Sequence, residues 1–196
     1  MQNKTISIVV LLALLMSSCS SSKRDETTEI TVNNLIHQHH IWEVAVDTFG
    51  STFTTADPFI NDERLKVDFT IATKEGDYFP YVEVKCFPDI DYQTLDKINI
   101  SYICEHDVII KLNQSDFSAG GDNSYAHYQF VLPKTDNQPN IATIYIDEFT
   151  QPQWAEESSR KIALNKENIE AIYLVPAIDY NKGESTTFTL LSLNLQ

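Results

Sequence analysis

Tyr125, His127 and Gln129 alternate along one stretch of the chain, Lys111 and Asn113 along a second, and Tyr81, Glu83 and Lys85 along a third. In an extended strand residues two apart share a face, so each set puts rings, amides or charges opposite its aliphatic neighbours. Rings offer flat stacking surfaces, and the polar groups donate and accept hydrogen bonds. A shallow face for a polar ligand needs both. The solvated side of any antiparallel sheet has a similar composition. Tyr81, Glu83, Lys111, Asn113, Tyr125, His127 and Gln129 are therefore candidate ligand-binding residues, to be judged by whether the fold brings them together.

Catalytic patterns are missing. The sequence has no Gly-x-Ser-x-Gly, no His-Glu-x-x-His and no phosphate-binding glycine loop. Asp147 and Glu148 are neighbours, and neighbouring strand residues point to opposite faces, so they cannot flank one scissile bond. His37, His39 and His40 cluster near the start of the domain without an accompanying Cys or spaced acid, the pattern of a solvated segment rather than a metal site. Cys86 and Cys104 are expected on the apolar faces of their strands, either bridged or as buried free thiols. These observations argue against an enzyme and give no resident metal or cofactor.

The elements that must position the candidates read as strands. Period-two alternation dominates from Ile30 onward. Strands are expected at 41–47, 65–72, 81–86, 98–104, 107–112, 125–132, 141–149, 169–175 and 186–195, with a short helical turn within 154–166. Turns are expected at Asp57-Pro58, at 118–123 and at Asn181-Lys182-Gly183. Short β-rich runs separated by Gly, Pro, Asn and Asp argue for an all-β antiparallel sandwich, a single domain over residues 30–196.

Residues 1–18 read as a signal peptide, with Lys4 before an apolar run from Ile6 to Met16 that is too short to span a bilayer. Leu15-Met16-Ser17-Ser18-Cys19 resembles the lipobox of bacterial lipoproteins, although Met16 stands where a small or aliphatic residue is usual. The resemblance implies cleavage before Cys19, its acylation with fatty acid such as palmitate, and anchoring in the cell envelope, expected at the outer membrane. Residues 19–29 are polar and read as a flexible tether. Asp25-Glu26 is a weak version of the acidic surface-export signals of some Bacteroidetes lipoproteins, so periplasmic and surface exposure both stay open. Cleavage removes one cation, Lys4, leaving 28 acidic against 13 basic residues, a net charge of −15. Such a chain repels phosphate backbones, which excludes nucleic acid as a partner.

The C-terminal two thirds carry a resemblance. Asp107 to Leu112, then Tyr125 to Pro133, then Ile144-Tyr145-Ile146-Asp147-Glu148-Phe149-Thr150-Gln151-Pro152-Gln153-Trp154, and finally Ile169 to Leu174, Gly183 and Phe188 to Leu195 follow one another in a familiar order. They resemble the galactose-binding-like jelly rolls, in particular the family 11 type of bacterial carbohydrate-binding module and the complex I assembly-factor domains. Near the start, Trp42, Asp47, Gly50 and Ser51 fall where such modules carry an aromatic, an acid and a Gly-Ser pair. The resemblance implies a jelly roll that binds a polysaccharide or oligosaccharide on a sheet face. The assembly-factor relatives imply instead a structural role with an envelope protein partner.

Two departures limit the transfer. Leu191 and Ser192 stand where the family's closing strand carries acids, which weakens an implied structural calcium site. Asn140-Ile141 stands where the family often has a Trp, which weakens sugar recognition as the enzymes' modules practise it. Trp154 itself is expected to plug the end of the sandwich core.

Overall fold

The computed structural model describes residues 34–61, 63–76, 79–117 and 121–196. The expected signal peptide, Cys19 and the expected tether lie outside these residues, as do Ser118, Ala119 and Gly120 of one expected turn.

Among the described residues ten strands form two antiparallel sheets. In chain order they are β1 (Trp42–Val46), β2 (Thr52–Asn61), β3 (Arg64–Thr70), β4 (Val82–Cys86), β5 (Lys97–Cys104), β6 (Val108–Gln114), β7 (Tyr128–Leu132), β8 (Asn140–Tyr145), β9 (Ile169–Pro176) and β10 (Ser185–Leu195). The front sheet has the order β1-β4-β9-β6-β7 and the back sheet β2-β3-β10-β5-β8. One short helix, α1 (Glu157–Arg160), falls inside the span where a helical turn is expected.

Alternation explains the layering. Val82, Val84 and Cys86 of β4 and Val108, Ile110 and Leu112 of β6 are buried, as are Leu65, Val67 and Phe69 of β3 and Ile98, Ile100, Tyr102 and Cys104 of β5. They belong to one continuous core, where burying each large aliphatic side chain stabilises the fold by roughly 1.5–3 kcal/mol. Cys86 and Cys104 belong to different sheets, and both thiols are free and buried. Burial pushes both thiols up, so neither is a ready nucleophile.

Three expectations need correction. Asp57-Pro58 is not a turn but part of β2, within the register shift between Thr55 and Ile60. Because β2 is an edge strand, proline's missing N–H removes little from the ladder. The strand expected at 125–132 begins only at Tyr128, because Tyr125 has φ +54°, outside the extended region. Asp147 and Glu148 lie not in a strand but in a 3-10 turn (Ile146–Glu148), where the Glu148 carboxylate accepts the Tyr145 N–H at 2.7 Å. A carboxylate committed to capping a turn is still a poor half of a glycosidase pair, for a different reason from the one expected.

Candidate functional site

The strand register brings the candidates onto one face. Lys85 and Lys111 are both paired with Tyr173, Glu43 is paired with Lys85, and Gln129 with Lys111. Directly paired residues point the same way, so a single outward row crosses the front sheet: Glu43, Lys85, Tyr173, Lys111, Gln129. Glu83 and Tyr81 precede Lys85 at two-residue intervals on the same side, and Asn113 follows Lys111.

This row is held together by charge and by rings. The Glu83 carboxylate accepts from Lys111 Nζ at 3.1 Å, reaching across β9, and the pair is mostly shielded from water. Lys85 Nζ lies 5.1 Å from the centre of the Tyr173 ring, within cation–π range. Burial raises the Tyr173 phenol to about 12, helped by the charges of Glu83, Glu170, Glu43 and Tyr81, so it remains a neutral donor. The Tyr81 phenol is raised in the same way, first by burial and then by Glu83, Asp47 and Tyr125.

His127 points to this face but is only 4% exposed. Its ring centre lies 5.8 Å from that of Phe117, 6.3 Å from Tyr125 and 6.2 Å from Tyr173. Its Nδ1 accepts the Gln114 N–H at 3.2 Å, beside the register shift between Asn113 and Gln114. Burial first, then the charge of Lys111, lowers the imidazole to about 4, against an opposing pull from Asp122. At neutral pH it is therefore uncharged and carries its proton on Nε2. Glu83 and Asn113 are likewise nearly buried rather than solvated, and Gln129 is half-buried.

The loops at the ends of the strands fix the exposed rings. Asp47 Oδ2 accepts the Tyr81 N–H at 2.9 Å, and its Oδ1 accepts that of Phe49 at 2.6 Å and of Ser51 at 3.4 Å. Burial alone would raise this carboxyl, but the bonds from Ser51, Phe49 and Tyr81 hold it below its ordinary value. Gly50, at φ +117°, lets the loop wrap around the acid. Tyr125 is 59% exposed and left-handed, a conformation that costs a bulky residue about 1–2 kcal/mol. It is secured by its N–H to Phe117 O at 3.0 Å and by Ser124, whose hydroxyl lies 2.6 Å from Asp122 Oδ1 and accepts the Ala126 N–H at 3.2 Å. Ser159 closes this cluster, bonded to Asp122 and 2.7 Å from Ser124 Oγ.

Among the described residues no group of three His, Cys, Asp or Glu is placed to hold a metal. The carboxylate of Asp47 is occupied by backbone N–H donors, and Leu191 and Ser192 supply no acids on the closing strand, so the residues do not fit a calcium site.

No family profile matches the chain, and no curated protein matches it significantly. Solved structures do. A family 11 carbohydrate-binding module from Clostridium thermocellum, in complex with a β-1,3-1,4-mixed-linked tetrasaccharide, aligns over 79% of this chain and 88% of its own, with a TM-score of 0.53 and 16% identity. A family 11 module of a cellulosomal cellulase of the same organism aligns over 85% and 89%, with a TM-score of 0.50 and 16% identity. The chain is a jelly-roll sandwich. At this identity the jelly roll carries the likeness, and function has to be argued from the face itself.

Two aromatic residues stand elsewhere than the sequence pattern led one to expect, Tyr173 on the front face and Trp154 in the turn after Pro152. Tyr173 sits at the centre, yet it appeared only as a member of a strand. Burial of Ile172 and Leu174 leaves it outward, and that alternation was legible. Trp154, expected in the core, is 63% exposed. The smaller Ala155 fills the interior position beside it, in a cluster with Phe117 and Ala126.

Proposed function

We propose that the front face of the sandwich binds a glycan chain without altering it, on a protein held at the cell envelope through Cys19. The observation that carries the binding reading is the meeting of Tyr81, Tyr125 and Tyr173 with the Glu83–Lys111 pair on one sheet face. Rings of this kind stack on the apolar faces of sugar rings, while the carboxylate, the ammonium, Asn113 and Gln129 read hydroxyls. Donors and acceptors already fixed by neighbours lose little freedom when a sugar arrives. The fold shared with a module whose structure holds a β-1,3-1,4-mixed-linked tetrasaccharide supports the reading.

Two contacts of the same face support binding without catalysis. Glu83 is held by Lys111, and His127 has its Nδ1 taken by the Gln114 N–H, so neither is free to act as a general base.

The test is affinity electrophoresis of residues 31–196 in gels containing soluble β-glucan, xylan, mannan or α-glucan. Retardation by one polymer, weakened when Tyr125 and His127 are replaced by Ala, is the expected result. No retardation by any polymer, together with capture of one stoichiometric protein from envelope extract, would transfer the role to a protein partner. The anchor is tested separately: labelling of the full chain with a palmitate analogue should be lost in Cys19→Ala.

A further inference from the structure

Trp154 is an exposed indole whose backbone is unusually well secured. It occupies a turn closed by the Ala155 N–H to Pro152 O at 3.0 Å. The guanidinium of Arg160, in α1, donates to Ala155 O at 2.9 Å and to Gln153 O at 2.8 Å, gripping the carbonyls on both sides of the tryptophan. A turn fixed at these carbonyls presents the exposed indole from a set place, so little main-chain freedom is lost when a flat ring stacks on it.

The position of the turn relates it to the front face. Gln129, whose side chain belongs to the outward row, is bridged antiparallel to Thr150, with N–H to O bonds of 2.8 and 3.0 Å in the two directions. The chain therefore leaves the edge of the front sheet beside β7 and runs towards the end where His127 and Tyr125 lie. The small cluster of Phe117, Ala126 and Ala155 joins the two segments there, with Tyr125 adjoining Ala126 and Trp154 adjoining Ala155. The strand register sets the backbone of Tyr81, at the start of β4, at the opposite end of the face from that of Tyr125.

We infer that Trp154 is an outer stacking platform of this face, taking a sugar ring beyond the one at Tyr125. The ligand is then a stretch of oligosaccharide crossing the sheet diagonally from Tyr81 through Tyr173 to Trp154, not a single terminal sugar. This rests on the glycan-binding reading of the face and extends it by one position. Like Tyr81 and Tyr125, Trp154 is clamped through its backbone, which leaves the ring free to meet a ligand.

Intrinsic fluorescence isolates this residue. The sequence has two tryptophans. Trp42 is 8% exposed with its indole N–H donated to Leu35 O at 3.0 Å, so Trp154 dominates the solvent-accessible emission. Titration with the polymer that retards the protein should shift this emission to the blue and shield it from acrylamide. Trp154→Ala should weaken retardation by about three- to tenfold, and Trp154→Phe should restore most of it. Retardation that is unchanged in Trp154→Ala, with no change in emission, would overturn the inference while leaving the Tyr173 face intact. A polymer panel that binds nothing would overturn both.

Discussion

The two outer faces of the sandwich follow the same alternation and have opposite characters. On the back sheet, Thr52, Thr54, Thr70, Ser185 and Thr187 line a groove of about 540 Å³ with Asp68 among them. Their short hydroxyls pair across strands, as in Thr70 with Ser185 at 2.8 Å and Thr187 with Asp68 at 2.5 Å. On the front sheet the outward row of Glu43, Lys85, Tyr173, Lys111 and Gln129 is long or aromatic, and other polar residues of this face are withdrawn from water: Glu83 is 9% exposed and His127 less still. Room alone would favour the back face. The front face is the one where charged groups and an imidazole, Glu83, Lys111 and His127, have been desolvated and fixed, which is costly unless something offsets it. A solvated surface has no need of such an arrangement, and a recognition surface gains preorganisation from it.

That contrast can be broken or sharpened by mutation. The largest expected effect is Glu83→Gln, which strands the shielded Lys111 ammonium and should lower unfolding free energy by about 2–3 kcal/mol in urea titrations. Adding Lys111→Met should recover most of the loss. On the back face, Asp68→Asn should cost less than about 1 kcal/mol. Equal losses on the two faces would remove the distinction.

Acidification should act through the front face next. The unfolded imidazole of His127 gains a proton as pH falls through about 6.5, whereas the folded one stays neutral until about 4. Between these values the unfolded chain binds more protons, so stability declines as pH is lowered, by about 1.6 kcal/mol from pH 6.5 to 5. His127→Gln should flatten that part of the profile. A slope unchanged by the substitution would mean that His127 is not shielded. Glycan affinity above pH 5 should meanwhile be level, because the ring stays uncharged.

Asp47→Ala should cost about 1–2 kcal/mol by releasing the N–H groups of Phe49, Ser51 and Tyr81. It should also weaken glycan binding two- to threefold by loosening the Tyr81 corner. The smallest effect is expected for Lys161→Ala, whose partner Glu157 is exposed on α1; neither melting nor binding should change measurably.

Much of this architecture was legible because the strands of a sandwich announce which residues share a face. Val82, Val84 and Cys86 inward leave Tyr81, Glu83 and Lys85 outward whatever the rest of the chain does. What was not legible depends on contacts distant in sequence. The shielding of His127 comes from Phe117 and Tyr173, on other segments, and from a register shift in β6 that brings up the Gln114 N–H. Strand β2 was hidden by a proline that an edge strand with a register shift accommodates. The exposure of Trp154 turned on Ala155 taking the interior position, a packing choice between neighbours that local sequence does not reveal.

On the proposed function the front face, and not the roomier back groove, holds the ligand. Isothermal titration of the retarding polymer against Tyr173→Ala and Thr187→Ala tests it most directly. The expected result is at least a tenfold loss of affinity for Tyr173→Ala, about 1.4 kcal/mol or more, and no change for Thr187→Ala. Full affinity in Tyr173→Ala with loss in Thr187→Ala would place the site on the back sheet and contradict the account.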